Sequence, residues 1–253
     1  MNTIAISFVI FACTVGGMLF GAFIRSGLAE EHLNAEARDV VRLATALMAT
    51  LSALVLGLLV ATAKSSFDSK ATQVKQITSD IIFLDELLAQ YGPEAVNVRQ
   101  TARRSVNVMV DRIWQENKSE SGEMNPFEMS REGERFLQAI LALSPQNNAQ
   151  RLLYDRIIRA TNDLGRVRLA LFVQSGDTIS APFLMMLGFW LTIIFAIFGL
   201  LTRINVLVGI ILLFCSLSVS GAIFLILDLD RPFTGTLQIP SGPLRNALAP
   251  LDS

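Results

Sequence analysis

The sequence predicts an all-α protein that crosses a membrane four times and carries a helical bundle inserted between its second and third spans. Three observations lead there. Hydrophobic residues make up 52% of the chain and charged residues 17%, with a mean hydropathy of +0.49, which is too apolar for an ordinary soluble domain and too charged for a chain wholly in the membrane. The apolar residues gather in four runs, Ile4 to Ile24, Leu43 to Ala63, Phe183 to Leu201 and Val206 to Leu227, none of which contains a charge. Each run is close to the ~20 residues a helix needs to cross ~30 Å of hydrocarbon. The polar stretch between the second and third runs repeats its apolar residues at helical spacing and shows no strand pattern of consequence. The expected division is therefore 1–63 for two spans, 64–180 for the bundle, 181–228 for two further spans and 229–253 for a C-terminal tail.

The first run reads as a retained span, because no Lys or Arg precedes it, its apolar stretch is longer than a signal core, and Phe11-Ala12-Cys13 is a poor cleavage site. Gly17-Met18-Leu19-Phe20-Gly21 gives it a small-xxx-small face that lets another helix come close. A connector follows with Glu30, Glu31, Glu36, Arg38 and Asp39, in which the lone His32 reads as a solvated loop residue. The second run ends without a breaker at Lys64-Ser65-Ser66-Phe67-Asp68, and Val74, Ile77, Ile81, Leu84, Leu88 and Tyr91 then continue at alternating steps of three and four. One helix from about Leu43 to Tyr91, roughly 70 Å long at ~1.5 Å per residue, is expected to run out of the membrane into the bundle. Gly92-Pro93 stops it.

Glu94 to about Asn117 is the next helix, with Ala95, Val98, Ala102, Met109 and Ile113 facing the core and Arg99, Arg103 and Arg104 read as a solvated face. Lys118 to Asn125, rich in Ser, Gly and Glu, reads as a mobile loop. Phe136, Ile140 and Leu143 mark a helix that ends before Ser144-Pro145. The seam Leu153, Ile157, Ala160, Leu164, Val167 and Leu171 carries the chain back, until Ser175-Gly176-Asp177 and Ser180-Ala181-Pro182 break it. The last two runs are joined only by Thr202-Arg203-Ile204-Asn205, so they form an antiparallel hairpin.

Basic residues near the span ends set orientation. Lys64, Lys70, Lys75, Arg166, Arg168, Arg231 and Arg245 lie on the bundle's side, against Arg25, Arg38, Arg42 and Arg203 opposite, which puts the bundle and both termini in the cytoplasm. The formal net charge of −1 gives no reason to expect a nucleic-acid partner. Cys13 and Cys215 fall inside apolar runs and read as small buried hydrophobes rather than a disulfide.

No nucleophile-and-base set, phosphate loop, metal spacing or defensible carboxylate pair emerges, so neither an enzyme nor a cofactor is expected. The spans also lack any Asp, Glu, Lys, Arg or His, which argues against proton-coupled transport. They do carry hydroxyls, most visibly Ser216, Ser218 and Ser220 beside Gly221, which serve either close helix packing or pore lining.

Gly57-Leu58-Leu59-Val60-Ala61-Thr62-Ala63-Lys64-Ser65-Ser66-Phe67-Asp68, the helical insertion, and Leu225-Ile226-Leu227-Asp228-Leu229-Asp230-Arg231-Pro232-Phe233-Thr234-Gly235 with the Pro-rich tail resemble the bestrophin-like domain family of bacterial membrane proteins. That resemblance spans nearly the whole chain. It implies kinship with bestrophins, oligomeric anion channels whose corresponding second helix lines the pore and exits in a Ser-Tyr-Asp sequence similar to Ser66-Phe67-Asp68. Here no tryptophan pair follows Asp68, and no aromatic residue lies between Leu51 and Ala63, so the resemblance names no ion. By resemblance, Ser52, Thr62, Ser65 and Ser66 are the pore-lining candidates. At the final motif Asp228, Asp230 and Arg231 either terminate the span at the hydrated interface, with Pro232 preventing continuation, or pair with Lys64 or Asp68 in an interfacial charge network. The expectation is a channel-like homo-oligomer of the bacterial inner (plasma) membrane, with the lipid bilayer and small inorganic ions as partners. The competing expectation is a membrane-anchored interaction or sensor protein that works through its bundle.

Overall fold

The computed structural model describes residues 3–27, 35–115, 131–173, 181–202 and 205–247. Its regular elements are all helical: α1 (Thr3–Gly27), α2 (Ala35–Tyr91), α3 (Val96–Gln115), α4 (Arg131–Leu141), α5 (Asn148–Val173), α6 (Ala181–Leu201), α7 (Val206–Leu229) and the short α8 (Gly242–Asn246), with a 3₁₀ turn at Pro93–Ala95. Four of them, α1, α2, α6 and α7, are long and apolar enough to cross a membrane. His32, the Lys118–Asn125 loop, the break at Ser175-Gly176-Asp177 and Arg203-Ile204 of the hairpin turn lie outside the described residues.

The helix α2 runs unbroken for 57 residues. It begins earlier than the apolar run does, because the charged stretch from Ala35 to Arg42 contains neither Gly nor Pro and is made largely of good helix formers. It ends at Gly92, whose φ of 120° only glycine adopts without strain, and Pro93 then opens the 3₁₀ turn.

Contacts divide the chain into two compact units, 1–66 with 177–230 and 67–176 with 231–253. In the first, α1 and α6 pack backbone to backbone. A Cβ placed on Gly17 would meet the Thr192 carbonyl oxygen at 2.7 Å, one on Gly21 would overlap the Ala196 carbonyl, and one on Gly199 would overlap that of Met18. The small-xxx-small face of the first span is thus its contact with α6. Pairing of Gly17 with Thr192 and Gly21 with Ala196 makes α1 and α6 parallel, and the Arg25 Nη1 donates to the Leu200 carbonyl at 3.3 Å, meeting an otherwise open helix-end acceptor. Ser7 with Ser220 and Thr14 with Ser216 make α1 and α7 antiparallel. Residues 3, 181 and 229 consequently lie at one end of this unit, and 27, 201 and 206 at the other. Asn205 caps α7, its side chain accepting from the Val208 amide at 2.9 Å.

The outside of this unit is apolar: Phe8, Phe20, Phe23, Phe189, Val206 and Phe214 are all exposed. Exposed aromatic and aliphatic residues on every side, over a core holding Ser7, Thr14, Ser216 and Ser220, reverse the pattern of a soluble domain and suit hydrocarbon as the surrounding medium. Cys13 and Cys215 belong to this outer surface; both are free and exposed, contrary to the expectation of burial. In a span that is apolar on every face, apolar sequence carries no information about which face is inside.

The second unit is built on two adjoining cores. Leu84, Leu88, Tyr91, Val98, Ile140 and Ile157 form one, and Ile77, Ile81, Val110, Ile113, Leu171 and Leu244 the other. These are the seam residues of α2 and α5, joined by the apolar faces of α3 and α4. The C-terminal segment belongs to this unit: Leu244 of α8 is fully buried, Trp114 packs edge-on against Phe233 with ring centroids 5.3 Å apart, and the Trp114 Nε1 donates to the Ile239 carbonyl at 2.8 Å.

Candidate functional site

Along α2 the residues buried in the fold follow one stripe: Thr45, Ser52, Leu59 and Ala63, then Lys70, Val74 and Ile77. The steps are seven, seven, four, seven, four and three, so the seam legible at Val74 to Tyr91, carried backwards, passes through the span. That extrapolation is the signal that places Ser52. It is 4% exposed, and its Oγ has no hydrogen-bond partner among the described residues.

Of the other lining candidates, Thr62 and Ser65 lie on an exposed side of α2, and the Thr62 hydroxyl donates back to the Leu58 carbonyl at 2.9 Å. Ser66 is half-buried. Thr62 and Ser65, three residues apart, share a face that continues upward through Leu58, Leu54 and Leu47, all more than half exposed. Of the four spans α2 is the least covered by its own chain, with 17% of its apolar window buried against 22–28% for the others. The outer face of every span is largely uncovered by the chain, that of α2 slightly more than the rest.

The serines of the last span divide differently. Ser216 Oγ lies 2.6 Å from Thr14 Oγ1, Thr14 also bonding the Ile10 and Phe11 carbonyls, and the Ser220 Oγ donates to the Ser7 carbonyl at 2.7 Å. All four residues are buried. These hydroxyls cross-link α1 to α7 in the interior, where a polar group needs a partner, and only Ser218 points outward.

At the final motif Asp228 is 3% exposed and Asp230 is the C-cap of α7, its amide bonded to the Ile226 carbonyl at 3.2 Å. Lys64, Asp68, Asp228 and Asp230 each have at least one hydrogen-bonding or electrostatic neighbour. From Arg231 the backbone turns tightly: the Gly235 amide bonds the Arg231 carbonyl at 2.8 Å, and the Ile239 amide bonds the Pro232 carbonyl at 2.8 Å. Lys64, Asp228 and Asp230 belong to the first compact unit, Asp68 and Arg231 to the second.

In the bundle, Arg99 is not a freely solvated residue as its position on α3 suggested. Its Nε and Nη2 donate to both carboxylate oxygens of Asp85 at 2.7 and 3.0 Å, and that bond raises the Arg99 pKa above its ordinary value. Among the described residues no group of three His, Cys, Asp or Glu side chains could hold a metal ion.

Residues 10–244 match the family model described as Bestrophin-like domain. The match covers most of the chain, and the protein belongs to that family. No curated protein and no solved structure matches it.

Proposed function

We propose that this bestrophin-like membrane protein is a homo-oligomer of the bacterial inner membrane that passes small inorganic ions down their gradient, with the outer face of α2 toward the path. The observation that carries this reading is that face. It belongs to the span least covered within the chain, it is uncharged through the hydrocarbon and lined by leucines, and it ends in the exposed hydroxyl-bearing pair Thr62 and Ser65. A leucine-lined constriction opening to hydroxyls can conduct when wetted and close when dry. The absence of any acid or base inside the spans supports passive flux over coupled transport. Ser66 stands at the exit; Ser52 faces the unit's interior and is assigned to packing.

The bundle and both termini are assigned to the cytoplasm, from the excess of Lys and Arg on their side. Within the first unit, Lys64, Asp228 and Asp230 are proposed to form a charge network at that surface. A cysteine in the Lys118–Asn125 loop of a chain lacking Cys13 and Cys215 should resist impermeant thiol reagents in intact cells and react after lysis.

Purified protein in liposomes should release small ions without an energy source, and Thr62→Trp or Ser65→Trp should reduce that flux with the oligomer intact. Flux absent under every voltage, pH and calcium condition, with folded oligomer confirmed in the same vesicles, would sink the reading. A membrane anchor that works through its bundle is the second reading. The burial of Ser216 and Ser220 against α1 favours it, since an anchor turns such hydroxyls inward.

A further inference from the structure

Four helical segments of the second unit, from α2, α3, α4 and α5, line an open-sided cavity of about 210 Å³. Most of its wall is apolar, with Leu84 and Leu88 from α2, Val106 and Met109 from α3, and Phe136 from α4. Its polar lining comprises Asp85, Arg103, Ser105, Thr161, Asn162 and Arg168, of which Arg103 already has a hydrogen-bonding or electrostatic neighbour. Asp85 borders it, but both oxygens of that carboxylate are held by Arg99, so it brings no net negative charge.

Arg168 of α5 borders the same space and is half-buried. No carboxylate among the described residues pairs with it; burial, and then the nearby Arg112, press its pKa below the ordinary guanidinium value. A guanidinium does not give up its proton under working conditions. The pressure therefore marks a half-buried positive charge with no carboxylate partner among the described residues, an arrangement that a ligand anion would relieve.

The cavity is also kept open at a cost to the helices around it. Gly133 and Gly165 both border it, and glycine inside a helix is about 1 kcal/mol worse than alanine. A Cβ at Gly165, which sits exposed at the cavity's rim, would meet nothing within 4 Å, so no packing contact requires the glycine.

We propose that this cavity binds a small amphiphilic carboxylate, its anionic head on Arg168 and its tail between α2, α3 and α4. The volume exceeds the ~150 Å³ cavity that accepts benzene and falls short of the ~300 Å³ where drug-sized pockets begin, which selects a ligand of about ten non-hydrogen atoms and excludes a phospholipid. The site goes beyond ion conduction and stands whether or not the spans conduct.

The test uses the full chain in lipid nanodiscs and octanoate as the probe, followed by ligand-observed NMR against empty nanodiscs of the same lipid. Saturable binding near one per chain is expected, with a Kd of roughly 10 μM to 1 mM for a ligand of that size. Octylammonium and octanol should bind at least tenfold more weakly, as should octanoate to Arg168→Gln, since a charge-assisted hydrogen bond is worth about tenfold or more. Gly165→Leu, which puts a side chain into the space, should abolish binding without lowering the Tm, and Ala102→Leu fills the same cavity from α3 should the first variant fold poorly. No saturable binding above empty nanodiscs, undiminished binding in a folded cavity-filling variant, or equal binding of octylammonium would each overturn the site as proposed.

Discussion

Replacing Gly21 with alanine should destabilise the protein although alanine is the better helix former. The sign is decided at the α1–α6 contact. A Cβ on Gly17 would sit 2.7 Å from the Thr192 carbonyl oxygen where ordinary contact starts at 3.4 Å, so about 0.7 Å must be found; at Gly21 the overlap with the Ala196 carbonyl is deeper. The obstructing atoms are backbone, which cannot swing aside as a side chain can. Separating packed helices by even ~0.5–1 Å forfeits a quarter to a half of each contact's dispersion energy, and overpacking of this kind costs about 1–3 kcal/mol. Subtracting the ~1 kcal/mol that alanine gains in helix propensity leaves a net loss of up to about 2 kcal/mol for Gly21→Ala, whose overlap is the deeper one and belongs at the upper end of that range, and more for Gly21→Val. Gly16 and Gly221, around which a Cβ meets nothing within 4 Å, are internal controls whose alanine variants should be neutral or up to ~1 kcal/mol more stable. The assay is unfolding of purified protein by SDS titration in mixed micelles, followed by tryptophan fluorescence, with Trp190 of α6 as reporter within this unit. Equal stability of Gly21→Ala and Gly16→Ala would show that α1 and α6 do not meet backbone to backbone.

Three further outcomes follow from the bundle and from α2. Tyr91→Phe should be neutral to about 1 kcal/mol stabilising near pH 7, because the Tyr91 hydroxyl is buried without a hydrogen-bond partner among the described residues. Burial first, with Glu94 and Tyr154 adding to it, raises the phenol's pKa above 10.0; the unfolded chain then ionises before the folded one, so wild-type stability falls as pH rises above 10 while that of the variant does not, and parallel pH profiles would refute this. Trp114→Phe keeps a ring beside Phe233 but removes the donor to the Ile239 carbonyl, which should cost about 1 kcal/mol and speed proteolysis of the tail; unchanged cleavage would mean the tail is held elsewhere. Ser69→Pro, inside the unbroken α2, should cost about 3 kcal/mol or more, and unchanged thermal stability would show that the helix is already bent there.

The bundle was far more legible than the spans. In water a buried stripe must alternate with a polar surface, so Val74 to Tyr91 and Leu153 to Leu171 announce both their helices and their inward faces. In hydrocarbon both faces of a span are apolar, and the sequence yields the span without its rotation. Hence Cys13 and Cys215 were expected inside and lie outside, and Ser52 could be grouped with Thr62 although one is buried and the other exposed. The tail escaped for another reason. It is anchored by single residues, Phe233, Ile239 and Leu244, between prolines and turns, and such anchoring has no period to detect. The Asp85–Arg99 bond reaches from one helix to the next around the Gly92 turn, and a reading that sorts residues along one helix at a time sends both charges to solvent.

On the proposed reading conduction requires oligomerisation, because all but one of the buried hydroxyls within the spans of one copy are already engaged. Thr14, Ser216 and Ser220 are bonded across α1 and α7, and Thr45 to the Val41 carbonyl of its own helix. That leaves the Ser52 hydroxyl on the inner side of α2, followed along the stripe by Leu59 and Ala63, and a path of that composition offers an ion nothing in exchange for its hydration. The outer face of α2 holds Thr50, Thr62 and Ser65, the first two bonded to their own helix as Thr45 is, and on the proposed reading a path along this face is shared with other copies of α2. Reconstitution into liposomes at no more than one chain per vesicle should therefore abolish flux, while higher protein-to-lipid ratios that admit several chains restore it. Subunit counting by stepwise photobleaching on vesicles with recorded conductance reads this directly, and a conducting vesicle that contains a single chain would place the path inside the copy and overturn the assignment of α2's outer face.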